Sequence, residues 1–145
     1  MDVECVTSVA VITAEPKTSR ELYLDALGLP LRQLDGEYYA TEELSGCRHF
    51  GVWPLAQAAE ACFGSAAWPP TVPLPQMSIE FELASRSALD DGAAELRARG
   101  YELLHGPKTE PWGQTLARLI SPEGAIVGLS FVPQLHPSGS GAGAG

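Results

Sequence analysis

Met77-Ser78-Ile79-Glu80-Phe81-Glu82-Leu83 alternates large apolar residues with small or charged ones, the period of a strand with two unlike faces. Working outward, Ser85 or Ser87 is placed to cap a helix whose Leu89, Ala93, Leu96 and Ala98 share one face, and Gly100 ends it. Tyr101 to Leu104, Gln114 to Ile120 and Ala125 to Phe131 then read as strands, separated by a Gly106 to Gly113 loop and the Pro122-Glu123-Gly124 turn. About 70 residues earlier the same order occurs. Thr7-Ser8-Val9-Ala10-Val11-Ile12 reads as a strand, and Pro16 opens a helix through Arg20, Leu22, Tyr23 and Ala26 that closes at Gly28. Leu29 to Leu34, Tyr38 to Thr41 and Arg48 to Trp53 follow as strands, with turns at Asp35-Gly36 and Ser45-Gly46. The predicted fold class is α+β: two tandem βαβββ modules with helices on the outside.

Residues 1–63 form the first module, including a short extra helix at 55–63 (Leu55 to Cys62, LAQAAEAC). A connector at 64–76 follows, whose prolines 69, 70, 73 and 75 exclude a helix or central strand. Residues 77–134 form the second module, and the Gly/Ser/Ala-rich end at 135–145 is expected to be a flexible tail. A chain of 145 residues with 45% hydrophobic content buries roughly 70% of its unfolded surface without metals or disulfides. Eighteen acidic against nine basic side chains, the latter scattered, argue against nucleic acid and anionic membranes as partners. No apolar run is long enough to span a bilayer and the N-terminus is acidic, so a cytoplasmic location is expected. Cys5, Cys47 and Cys62 share no CxxC spacing and are expected to be reduced, mostly buried small hydrophobes.

Leu22-Tyr23-Leu24-Asp25-Ala26-Leu27-Gly28-Leu29, Glu110-Pro111-Trp112-Gly113-Gln114 and Ser121-Pro122-Glu123-Gly124, in that order, resemble the vicinal oxygen chelate superfamily, the glyoxalase/bleomycin resistance/dioxygenase fold. The resemblance spans about Cys5 to Pro133. It implies curved sheets around a ligand cavity, commonly in a homodimer. In metal-dependent members, His or Gln on the first strand of each module and Glu on the fourth strands hold a divalent ion. Here the matching positions are Ser8, Ser78, Gly128 and one residue within His49-Phe50-Gly51-Val52-Trp53. Serine is a weak ligand for such metals and glycine offers no side chain, so no metal and no cofactor is expected.

Alternation directs Val9, Val11, Ile79, Phe81, Leu83, Val127, Leu129 and Phe131 toward the helices. Ser8, Ala10, Ile12, Ser78, Glu80, Glu82, Ile126, Gly128 and Ser130 face the cavity. The inward Glu80 and Glu82 read either as solvated rim carboxylates or as ligand contacts. Trp112, Trp53 and Trp68, with Tyr39, supply planar surfaces for an aromatic ligand or simply pack. Gln114, Leu116 and Arg118 lie on one strand face and offer an amide, an apolar contact and a charge, although Arg118 is equally placed to pair with Glu80 or Glu82. The candidate ligand-binding set is thus Trp112, Gln114, Leu116, Arg118, Glu80, Ser8, Ser78, Trp53, His49, Tyr39 and Trp68, with no catalytic residue among them. The loop with Trp112 resembles one that lines the drug site of non-enzymatic resistance proteins. The reading is a metal-free homodimer that sequesters a bulky, partly aromatic natural product of bleomycin, mitomycin or enediyne type. The alternative is a metal-dependent isomerase, lyase or dioxygenase whose divalent ion is held by His49 and one or both of Glu80 and Glu82.

Overall fold

Two antiparallel strands form the centre of the sheet. β1 (Cys5–Thr13) pairs with β5 (Met77–Glu82), Ser8 opposite Glu80 and Ala10 opposite Ser78. The structure is a computed structural model and describes residues 1–137. β1 continues into α1 (Pro16–Arg20) and a wider helical turn (Glu21–Ala26), whose end is marked by the Leu27 amide reaching five residues back to the Leu22 carbonyl. β2 (Arg32–Asp35), β3 (Tyr38–Thr41) and β4 (Phe50–Pro54) complete the first module, and α2 (Leu55–Phe63) follows. The second module is β5, α3 (Arg86–Ala98), β6 (His105–Thr109), β7 (Thr115–Ile120) and β8 (Ile126–Phe131). The strands make one eight-stranded sheet in the order β2-β3-β4-β1-β5-β8-β7-β6, so the repeated βαβββ units join edge to edge at β1 and β5.

Local chemistry explains most boundaries. Ser85 caps α3, its side chain accepting from the Ala88 amide at 2.9 Å, and Gly100 takes the left-handed conformation after it. Leu89 and Ala93 are buried from that helix against Leu83, Ala117, Leu129 and Phe131, whereas Ala98 is exposed. Two strands are displaced from their predicted places. β2 begins at Arg32 because Leu29 and Leu31 close a tight turn, and β6 runs through Gly106 and Pro107, which read as loop. β6 is the outermost strand of its half, where a proline costs no ladder bond on the open side.

The larger departure concerns which face is covered. Val9, Val11, Ile79, Phe81 and Val127 on the outer face are only half-buried, while Ser8, Ala10, Ser78, Glu80, Glu82, Ile126 and Ser130 on the concave face are buried. α2 and the connector fold over that concave face: Ala58 and Cys62 pack on Ile126, flanked by Ile12, Trp53, Ile120 and Trp68. The chain stays ordered beyond the expected module end at 134. His136 stacks on Phe131 and bonds Glu82, so only residues 138–145 of the expected tail lie outside the described residues. All three cysteines are free, with Cys62 buried but Cys5 and Cys47 half-buried. Among the described residues no helix is long and apolar enough to cross a membrane.

Candidate functional site

The strand registers fix which residues face one another across the pseudo-two-fold axis. Exchanging β1 with β5 maps Ser8 onto Ser78 and Ala10 onto Glu80. Ala10 pairs with Gly51 and Glu80 with Gly128 in equivalent parallel ladders, so Gly51 and Gly128 are counterparts. The pseudo-symmetry places Gly51 beside Ser8, Ser78 and Gly128 as the fourth position of the set that the sequence resemblance matches to metal ligands, with His49 two residues away. Side chains of neighbours occupy the space a ligand side chain would need. A Cβ on Gly51 would lie 2.8 Å from the Tyr38 hydroxyl, and one on Gly128 would lie 3.2 Å from both Glu80 Cγ and Leu116 Cδ2. Among the described residues no group of three or more His, Cys, Asp or Glu is placed to hold a metal. The donor set does not fit the divalent ion that the fold can carry elsewhere.

A hydrogen-bonded chain runs from the surface into the concave face of the second module. Trp112, 59% exposed in the turn before β7, donates its indole N–H to Gln114 Oε1 at 2.7 Å. The buried Gln114 amide donates to Glu80 Oε1 at 2.9 Å and to Ser130 Oγ at 2.7 Å, and Ser130 donates to Glu82 Oε1 at 2.8 Å. Glu82 also receives the Thr7 hydroxyl and the Val132 amide and meets His136 Nε2 at 2.9 Å. Burial is the main cause holding the Glu80 carboxyl above its ordinary range. Arg118 and the Gln114 bond oppose it, and the charges of Glu82 and Glu110 add to it.

Beside this chain lies Arg118, 1% exposed. Its guanidinium meets Glu110 at 2.9 Å and the α2 carbonyl of Ala61 at 3.4 Å, so the expected pairing with Glu80 or Glu82 gives way to Glu110. Because a guanidinium only donates, His105 Nε2 accepts from it at 3.2 Å and His105 Nδ1–H donates to the Gly106 carbonyl. Burial lowers the His105 pKa, and the adjacent Arg118 and Lys108 add to that. Lys108 donates to the same Ala61 carbonyl, so two cations hold the end of α2 against the sheet. In the first module, Tyr38 and His49 share a 2.5 Å hydrogen bond; burial raises the phenol and lowers the imidazole.

Of the residues chosen from sequence, Trp112, Gln114, Glu80, Leu116 and Arg118 come together on one concave surface with Ser8, Ser78, Trp53 and His49. Trp68 packs edge-on against Phe63 and donates to the Val72 and Pro73 carbonyls, covering the α2 end of that face. Tyr39 stands on the opposite face with Arg20 over its ring at 4.5 Å, and Tyr38 takes the inward position. β3 is regular against β4, Ala40 opposite Gly51, so its pleat sets Tyr38 and Ala40 on the concave face and Tyr39 on the other. Ser130, Glu110 and His105, not selected from sequence, complete the polar network; the alternation that placed Ser130 inward was the available signal. The end of the sheet where β5 finishes also carries an open groove of about 780 Å³, with Cys5, Glu42, Cys47, Arg48 and Leu135 on its walls.

Solved structures share this fold. A glyoxalase/bleomycin resistance protein/dioxygenase superfamily member from Vibrio splendidus 12B01 aligns with TM-score 0.58 at 13% identity over 88% of this chain and 98% of that one. Methylmalonyl-CoA epimerase from Mycobacterium tuberculosis gives 0.57 at 14% over 92% and 91%. The 2,2',3-trihydroxybiphenyl 1,2-dioxygenase of Sphingomonas wittichii strain RW1 gives 0.56 at 15%, with 88% of this chain covering 42% of that one. No protein-family model matches the sequence, and no curated protein matches it. The chain has the paired βαβββ fold of the glyoxalase/bleomycin resistance/dioxygenase proteins. Structures of that fold include an epimerase and a dioxygenase, so the architecture leaves the activity open.

Proposed function

We propose that this protein is a metal-free small-molecule-binding member of the glyoxalase/bleomycin resistance/dioxygenase superfamily. Its ligand is a bulky, partly aromatic natural product of bleomycin, mitomycin or enediyne type, and sequestering it confers resistance. The observation that carries the reading is Trp112: a large indole, mostly exposed, yet fixed by its N–H to a buried amide. An exposed ring held in one orientation is a ready stacking platform, worth about 0.5–1.5 kcal/mol beyond area burial. Gln114 and Glu80 behind it supply the few polar groups such a site uses for orientation. The donor chemistry of Ser8, Gly51, Ser78 and Gly128 supports binding without a metal. A homodimer belongs to the same reading, supported by the half-buried apolar stripe of Val9, Val11, Ile79 and Phe81 on the outer face of β1 and β5.

The test is a tryptophan-fluorescence titration with bleomycin, a mitomycin and an enediyne chromophore, repeated on Trp112→Ala. Micromolar quenching by at least one compound, lost or weakened about 10- to 100-fold in the variant, is expected. No quenching by any of them, or an unchanged variant, contradicts the reading.

A further inference from the structure

Charge accounting on the concave face isolates one carboxyl. Glu110 faces Arg118 at 2.9 Å, and Glu82 collects the Thr7, Ser130 and Val132 donors with His136 beside it. Glu80, 9% exposed against 8% for Glu110 and 1% for Glu82, forms no ion pair among the described residues, feels the Arg118 charge without touching it, and receives one hydrogen bond, from Gln114 on Oε1. A buried carboxylate without a counter-ion is costly, and the usual resolution is to keep the proton.

The hydrogen bonds also say which oxygen carries that proton. An indole N–H can only donate, so the Gln114 atom facing Trp112 is the carbonyl oxygen and the one facing Glu80 is the NH₂ group. Glu80 Oε1 is therefore an acceptor, and the acid hydrogen resides on Oε2, which has no hydrogen-bond partner among the described residues. This leaves an O–H donor that has no protein acceptor but reaches solvent on the concave face, one amide away from the stacking indole, where an acceptor oxygen of a ligand can replace water. Glu80 stands opposite Ser8 and beside Gly128, at the centre of the face.

We infer that Glu80 binds its ligand as a neutral acid, donating from Oε2 to an acceptor oxygen, so that the ligand class is narrowed to planar aromatic ketones and quinones. This rests on the stacking site at Trp112 described above and adds the polar determinant to it. Cationic ligands, which an ionised Glu80 would attract, are disfavoured by the same arrangement.

The test compares xanthone with xanthene, which differ at one carbon, a carbonyl in the first and a methylene in the second. Binding is read by tryptophan quenching near pH 6 for wild type, Glu80→Gln, Glu80→Ala and Trp112→Ala. Wild type is expected to prefer xanthone by about tenfold, the scale of one net hydrogen bond. Glu80→Gln keeps the preference, because its amide N–H replaces the acid O–H while its carbonyl still accepts from Gln114. Glu80→Ala binds both compounds equally, at the xanthene level, and Trp112→Ala weakens both together. Equal binding of the two compounds by wild type overturns the donor assignment and leaves the stacking site standing. Loss of the preference in Glu80→Gln overturns it as well, since a donor at this position would serve whether it is an acid O–H or an amide N–H. If neither compound binds, the stacking site and the donor fall together.

Discussion

In the first module the concave positions Ala10, Ile12, Ala40 and Trp53 are small or apolar; their symmetry counterparts in the second are Glu80, Glu82, Arg118 and Ser130. The outer faces differ in the same direction. α1 and its continuation bury no residue, whereas α3 buries Leu89, Gly92 and Ala93. Two modules with one topology have thus divided the work. The second holds a network of buried charges beside a well-packed helix, and the first is mostly small or apolar, with Ser8 and the hydrogen-bonded Tyr38–His49 pair as its polar groups. The division has an electrostatic reason: two facing sets of buried charges would each need partners, whereas one set can be partnered largely within itself, as Arg118 is by Glu110.

The largest effect is expected where the polar half is broken. Arg118→Ala leaves Glu110 buried without its guanidinium and removes a tie to α2, a loss of about 3–5 kcal/mol in urea unfolding. A loss below 1 kcal/mol would mean that the cluster is wet and the contrast between the halves overstated. The helices give the next test. Leu89→Ala in α3 costs about 2–5 kcal/mol, against no more than about 0.5 for Leu22→Ala beside α1, where Leu22 is 50% exposed. Equal costs would show that α1 is covered in solution by something else. The paired glycines come third. A methyl on Gly51 meets the hydrogen-bonded Tyr38 ring at 2.7 Å, costing about 1–3 kcal/mol, whereas on Gly128 it meets flexible side chains at 3.2 Å and costs less.

The smallest effects are pH slopes, and they oppose each other. Burial lowers His49 and His105, so both contribute stability that is present above the ordinary imidazole value of 6.5 and lost as pH falls through their folded values. Glu80 is raised, so its contribution is present below the ordinary carboxyl value of 4.5 and lost as pH rises through its folded value. Its environment consists of Arg118, Glu82, Glu110 and the Gln114 amide. Glu80→Gln is therefore expected to melt higher than wild type by a margin that grows with pH above 4.5; a margin independent of pH would show that Glu80 is not the raised group.

Much of this was legible in the sequence, for reasons that particular residues illustrate. The repeat of β1 and β5 was readable because both strands alternate, and Ser85 and Gly100 mark α3 at both ends. β6 was hidden because Gly106 and Pro107 signal a loop unless the strand is known to lie at an edge. Nothing in LAQAAEAC says which surface α2 will cover, since its apolar face is mostly alanine and fits many partners. The site was half visible: Trp112, Gln114 and Glu80 could be chosen by type and face. The direction of the Gln114 amide, and hence the seat of the Glu80 proton, exists only once Trp112 and Glu80 are seen on either side of it.

The central claim, a ligand stacked on Trp112 without a metal, is tested most directly by titrating the chelator-treated protein with a mitomycin, then repeating after adding Mn(II), Ni(II) or Zn(II). Binding with micromolar affinity in chelator, unchanged by each metal and weakened in Trp112→Ala, is the predicted result. Binding that appears only when a divalent metal is supplied would contradict it.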